Sequence, residues 1–372
     1  MDGRDLDADE LSAWLRLTAT AQVGRTAVRR LLSAFGSPQA VLDAGEARRR
    51  EVVSAAAAKA LSRPDERHDA LLAATLAWLR HDRGPPRRLV VLGDAGYPQA
   101  WLESPDPPLL VYAVGRIELL QATSLAIVGS RHGTPQGREN AAAFARELGS
   151  AGLTIVSGLA LGIDSAAHAG AIDTRGGTVA IVGTGLDQVY PRRHADLASR
   201  IADRGLIVSE YSLGTPPLRE HFPQRNRLIA GLTRGTLVVE ATLQSGSLIT
   251  ARLALEAGRE VFALPGSIHS PQARGCHALI KQGAKLVETV QDVLGELQWG
   301  ASSPATPTAE PAVPETPHPL LDAMGPDPIG LDELVARTGW GAAELSARLL
   351  ELELEGRVAR LPGQRFQRMA RG

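Results

Sequence analysis

Residues 125–152 read LAIVGSRHGTPQGRENAAAFARELGSAG. A short apolar run enters a turn of glycine, serine and threonine, and an amphipathic stretch of helical period follows. The same device recurs as IVSGLALGIDSAAH from Ile155, TVAIVGTG from Thr178, LIVSEYS from Leu206, TLVVEATLQSGSLITARLALEAG from Thr236 and VFALPG from Val261. Strands alternating with helices predict a mostly parallel sheet covered on both faces, so its strands are apolar throughout. A strand that ends on a helix N-terminus offers free N–H groups and a positive dipole end, which favours anions and phosphates above all. The fold class is therefore α/β, a doubly wound, mostly parallel sheet with anion sites expected along one edge.

Outward from this core the chain changes character. Residues 1–80 read as helices, with LSAWLRLTA and TAVRRLLSAFG joined by a turn at Gln22–Arg25 and halted at Gly36. Such a hairpin suits either a DNA phosphate or a protein contact. The core unit is set at 84–300, and its Pro-rich entry carries two strand-like runs, RLVVL and LLVYAVG, expected to extend the sheet edge. Residues 301–319 hold six prolines and read as an extended linker. Residues 320–372 read helix, helix, turn at Gly339–Trp340, longer helix and two-stranded ribbon, a winged helix-turn-helix pattern. Its longer helix carries Glu344, Glu351, Glu353 and Glu355 against Arg348, poor chemistry for a phosphate backbone. A protein-contact or structural role is the reading for that unit.

Composition limits the rest. The net charge of the 372-residue chain is -1, so local patches must carry any nucleic-acid reading. Of the 40 cationic residues only Lys59, Lys281 and Lys285 are lysines, leaving cationic contacts to arginine forks. The single cysteine, Cys276, rules out an intrachain disulfide and a cysteine-cluster metal site. The acidic start MDGRDLDADE has no signal-peptide core, and no apolar run approaches the ~18 residues of a membrane span. A cytoplasmic protein without membrane association is expected.

Four loops hold the candidate site residues. Gly129, Ser130 and Arg131 supply a tight turn, a hydroxyl with an N–H, and a guanidinium at a strand's carboxyl end, where open α/β sheets bind ligands. G-S-R-H-G-T fails the G-x-G-x-x-G dinucleotide fingerprint. Gly158 opens the second loop; there Asp164 reads as a helix cap, and His168 as a packed or hydrogen-bonded histidine rather than a base. In HFPQRNRLIAGL, Arg225, Asn226 and Arg227 are placed to grip phosphates, with Phe222 a face on which a base can stack. The competing reading makes Phe222 core and one arginine a bridge to Glu240 or Glu220. Ser245, Gly246 and Ser247 form a further turn before a helix, and Glu240 ends a strand as a structural partner or a ribose ligand. Phosphate-loop, zinc-protease, nucleophile-elbow and Cys/His signatures are missing, so no catalytic residue, metal or cofactor is assigned.

Together IVGSR, VSGLALGIDSAAH, GTGLDQVYPRRH, LIVSEYSLGTPP, HFPQRNRLIAGL, VVEATLQSGSLITARLALEAGREVFALPG and GCHALIKQGAKLV, in order over about 125–287, resemble the DprA family of bacterial transformation proteins. The resemblance implies an N-terminal all-α domain of SAM-like type, an extended Rossmann-like core without a nucleotide cofactor, and a C-terminal winged-helix domain. It implies single-stranded DNA binding, protection of that DNA, homodimerisation through the core and loading of the RecA recombinase. Carried over, the turn arginine is Arg131, and the Arg-Asn-Arg motif is Arg225, Asn226 and Arg227. Gln224 stands where that resemblance leads one to expect a cation. Two other classes compete. The LOG-like phosphoribohydrolases share such loops but resemble a P-G-G-x-G-T-x-x-E pattern, against LPGSIHSPQARG here. A regulator reading duplex DNA through its winged helix is opposed by the acidic helix.

Overall fold

The computed structural model describes residues 6–81, 83–299, 318–325 and 328–369. The expected linker lies, but for its last two residues, outside them.

Nine strands form one sheet: β1 (Arg87–Val91), β2 (Leu110–Gly115), β3 (Ser124–Val128), β4 (Thr154–Ser157), β5 (Thr178–Ile181), β6 (Leu206–Ser209), β7 (Gly235–Val238), β8 (Glu260–Ala263) and β9 (Lys285–Leu286). Their order is β1-β2-β6-β5-β4-β3-β7-β8-β9. Strands β3 to β9 are parallel to their neighbours, while β1 pairs antiparallel with β2 and β2 with β6. The two runs in the Pro-rich entry thus extend the edge as expected. In β3 the two-residue period divides the side chains between two cores. Leu125 and Ile127 join Phe144, Leu148, Ile163 and Val293 on one face. Ala126 and Val128 join Leu228, Ile229, Ala251 and Cys276 on the other. Cys276 is fully buried, and burial pushes its thiol up to about 12. This supports the view that it is inert.

The chain steps from β3 to β6 in one direction and then returns to place β7 on the other side of β3. That reversal is the switch point beside which open α/β sheets hold their ligands. On one face the helices Pro135–Ser150 and Ile163–Ala171 approach very closely: a Cβ on Gly170 would lie 2.2 Å from the Ala142 carbonyl oxygen. Glycine is required there for the backbones to meet.

The N-terminal helices do not close on themselves. Leu11, Trp14, Leu15, Leu31, Val41 and Leu61 share their core with Val91, Leu109, Leu110 and Tyr112 of the edge strands. The Tyr112 hydroxyl lies 3.2 Å from Thr75 Oγ1, and its ring meets Trp78 edge-on at 5.6 Å. Beyond the linker, helices Pro319–Met324, Leu331–Thr338 and Ala342–Leu354 carry a small sheet of Ile329–Gly330, Arg365–Arg368 and Val358–Leu361. Gly339, at φ 72°, ends the middle helix in a left-handed conformation. This is a winged helix with its own core around Leu334, Leu345, Leu349 and Phe366.

Candidate nucleic-acid interface

The loops at the carboxyl ends of the parallel strands hold the expected residues, but two of their anion sites are filled by the chain itself. After β3, Gly129 packs so closely that a Cβ would lie 2.7 Å from Ile163 and 2.8 Å from the Glu240 carbonyl oxygen. The Ser130 N–H donates to that oxygen at 2.7 Å, and its hydroxyl accepts the His132 N–H at 3.1 Å. The expectation of a free serine N–H is therefore corrected: Ser130 builds the turn. At the switch point the Glu240 carboxylate accepts the Thr134 N–H at 2.8 Å and the Thr134 hydroxyl at 2.6 Å. Thr134 is the N-cap of helix Pro135–Ser150, so a carboxylate occupies the positive end of that helix. Burial pushes the Glu240 carboxyl up, against the two threonine hydrogen bonds. Its partner is a threonine, not the arginine that the sequence suggested.

The second loop repeats the pattern. Helix Ile163–Ala171 is capped by Gly162, not by Asp164. Asp164 sits inside the first turn, 7% exposed, and its carboxylate accepts the N–H groups of Gly158 and Ala160 at 3.1 and 3.4 Å. Arg225 reaches this place from helix His221–Leu232. It is 4% exposed and donates to the carbonyl oxygens of Gly158, at 2.7 Å, and Ile181. Burial depresses its guanidinium to about 10, and the opposing charge of Asp164 works the other way. A Cβ on Gly158 would lie 2.6 Å from that guanidinium. The expected direct grip of Arg225 on phosphate is thus corrected. Its fork is committed to carbonyls and ties the ends of β4 and β5 together.

His168 completes the support. Its Nε2 accepts the Leu159 N–H at 3.2 Å, so Nδ1 carries the proton and donates to Thr178 Oγ1 at 2.7 Å. It is fully buried, and burial lowers its pKa to about 3, with Arg225 adding to the effect. The ring is neutral in the folded chain and charges only on unfolding. Its contribution is complete above pH ~6.5, the unfolded value, and is lost as pH falls towards 3. Relative to His168→Gln, the wild type is expected to lose up to about 1.4 kcal/mol per pH unit across that window. Parallel denaturation curves for the two proteins from pH 7 down to about 4 would count against a neutral buried His168.

Arg225 and Arg227 cannot face one groove. Two residues along a helix turn the side chain by about 200°. Arg227 points the opposite way and is bridged to Glu210 and, at 3.0 Å, to Asp106. Asp106 also holds Arg25 at 2.8 Å and Arg29 at 2.6 Å from the N-terminal helices. Neither Glu240 nor Glu220 is the partner, and phosphate contact by Arg227 gives way to this ion network.

Three groups remain at the surface. Arg131 is exposed, forms no ion pair among the described residues, and lies with its guanidinium carbon 5.5 Å from the centre of the half-buried Phe222 ring. Tyr190, 45% exposed, meets the other partner of this ladder, its ring 5.4 Å from Phe222. Asn226 Nδ2 reaches the Gly246 carbonyl oxygen at 3.5 Å, beside a turn in which Ser245 and Ser247 hydroxyls lie 2.7 Å apart. Gly246 opens helix Ser247–Glu256, and a Cβ there would meet nothing within 4 Å. Gln224 is exposed and accepts the Tyr211 hydroxyl at 3.4 Å.

Tyr190, the exposed Arg192 and Arg193, and the Tyr211–His221 stack at 4.0 Å were not singled out from sequence. The signal was the run YPRRH, an aromatic and two arginines straight after a glycine turn. Among the described residues no group of three or more His, Cys, Asp and Glu side chains is arranged to hold a metal ion, and no helix is long and apolar enough to cross a membrane.

Comparison with known proteins agrees with this geometry. The family described as DNA recombination-mediator protein A matches residues 88–298, and the DprA winged helix domain matches 304–364. Protein Smf of Escherichia coli is 42% identical over 297 residues, 78% of this chain and 79% of the relative. DNA processing protein DprA of Streptococcus pneumoniae is 48% identical over 206 residues, 55% of this chain and 73% of that one. The X-ray structure of Streptococcus pneumoniae DprA superposes with a TM-score of 0.62 at 36% identity, covering 79% of this chain and 99% of that chain. DNA processing protein A from Helicobacter pylori, known for a unique single-stranded DNA binding mode, gives 0.52 at 32% identity, covering 57% of this chain and 95% of that one. The chain belongs to the DprA/Smf family of DNA recombination-mediator proteins.

Proposed function

We propose that this chain binds single-stranded DNA along the carboxyl edge of its sheet, without strong sequence preference, during natural transformation. The observation that carries this is the Arg131–Phe222–Tyr190 ladder: an unpaired guanidinium and two aromatic faces at a strand edge, the pairing of charge and stacking that single strands need. The contacting set is Arg131, Phe222, Asn226, Ser245, Gly246 and Ser247. Gly129, Ser130, Gly158, Arg225 and Arg227 shape the loops behind it. Protection of the strand, loading of RecA and a homodimer formed through the Rossmann-like core follow from family membership, as does a location in the cytoplasm.

Binding requires no cofactor and no catalysis in this reading. The place where a nucleotide phosphate would sit at the switch point holds the Glu240 carboxylate. That same engagement with Thr134 keeps Glu240 from the ribose of a LOG-type substrate. Release of free base from a nucleoside monophosphate would favour that enzyme instead.

Two substitutions separate charge from stacking. Arg131→Ala is expected to reduce the slope of log affinity against log salt by about 0.7, one phosphate's worth on a single strand. Phe222→Ala is expected to weaken binding roughly tenfold, about 1.4 kcal/mol, with the slope intact. Titration of labelled oligonucleotides at several salt concentrations reads both. Unchanged affinity and slope in both variants would remove the site from this edge.

A further inference from the structure

The winged helix carries a second surface, independent of the sheet edge. Its long helix, Ala342–Leu354, turns Leu345, Leu349 and Leu352 into the core. On the opposite side Ala343, Ala347, Leu350 and Leu354 are all exposed, Leu350 at 56% and Leu354 at 82%. At 100° per residue these four fall within a stripe about 60° wide. Their spacing of four, three and four residues is that of a helix–helix seam.

The charges beside the stripe have one sign. Glu351 and Glu353 flank it on either side, and Glu355 closes its end. The basic residue of the helix, Arg348, is engaged elsewhere: it pairs with Glu344 at 3.0 Å and its guanidinium carbon lies 4.6 Å over the Trp340 ring. In a DNA-reading winged helix this face would enter the major groove, where Glu351 and Glu353 meet phosphate. An anionic membrane surface is opposed by the same charges. A second copy fares no better, because stripe against stripe sets glutamates beside glutamates.

We propose that this face docks a helix of a partner protein, one with leucine-like anchors at seam spacing and lysine or arginine on both flanks. The apolar ridge supplies contact area and the glutamates select the flanking charge. The stripe is only about 17 Å long at 1.5 Å per residue, so the contact is small and transient, with micromolar affinity of about -8 kcal/mol.

The probe is a synthetic three-heptad helix with Leu at a and d and Lys at e and g, titrated into the full chain by fluorescence anisotropy. Its control carries Glu at e and g, and a short duplex DNA is run alongside. The Lys-flanked peptide is expected to bind at least roughly tenfold more tightly than the control. The pair Leu350→Ser and Leu354→Ser is expected to lose that binding, at positions exposed enough to leave the fold intact. The pair Glu351→Lys and Glu353→Lys is expected to reverse the preference. Equal binding of both peptides, no binding of the Lys-flanked one, or duplex affinity that the serine pair abolishes overturns the proposal. So does self-association of the chain that the serine pair removes.

Discussion

Arg225→Met is expected to lower the stability of the chain by about 3 kcal/mol, although the side chain touches no ligand. The guanidinium is the donor to the carbonyl oxygens of Gly158 and Ile181, and its charge offsets the buried Asp164 carboxylate. Methionine fills much of the volume but leaves both carbonyls without that donor and the carboxylate without its nearest positive charge. Removing one partner from a buried polar set costs far more than the set contributes net. Urea denaturation reads the loss directly. Arg225→Lys should recover only part of it, because one ammonium cannot reproduce a planar fork aimed at two strand ends. Adding Asp164→Asn to Arg225→Met should restore about 1 kcal/mol by removing the stranded charge. If Arg225→Met keeps full stability and loses only DNA binding, the arginine turns outward to the strand and the assignment here is wrong.

Glu240→Ala is expected to make a phosphate-indifferent protein phosphate-responsive. Loss of the carboxylate costs about 2 kcal/mol, since the Thr134 N–H and hydroxyl lose a charged acceptor at the start of a helix. The vacated position is then an ordinary anion site. Inorganic phosphate or sulfate at about a hundred times its dissociation constant should return some 2.7 kcal/mol. Thermal melts of both proteins across a phosphate series check this. A wild type that responds as strongly as the variant would mean that Glu240 does not hold the site.

Much of this fold was legible in the sequence, because the apolar runs around Ile127, Ile155 and Val208 are long enough to read as strands and the turns between them are polar. The winged helix was legible from the spacing of Leu345, Leu349 and Leu352 and the ribbon after Gly356. The site was legible as a set of loops but not as a set of roles. Residue type cannot tell an arginine that meets solvent from one that meets carbonyls: Arg131 and Arg225 look equally fit for phosphate, and only burial separates them. A helix period applied to HFPQRNRLIAGL would have shown that Arg225 and Arg227 diverge. Their partners, Gly158 and Asp106, are far away in the chain and become neighbours only through the strand order. The two self-filled anion sites were hidden for the same reason in one case and for the opposite reason in the other. Glu240 is 106 residues from Thr134, whereas Asp164 is so near its loop that it read as a simple cap.

The shared core of the N-terminal helices and the edge strands alters what counts as a separable part. Cut at the Pro-rich entry, as the sequence invites, the sheet would present Val91, Leu109, Leu110 and Tyr112 to water, and the helices would lose the floor on which Leu15 and Leu31 rest. The unit that lineages can exchange, lose or inherit is then the helices together with β1 and β2. A graft between relatives that respects this seam keeps both pieces soluble, and one placed at residue 84 gives two pieces that each need the other.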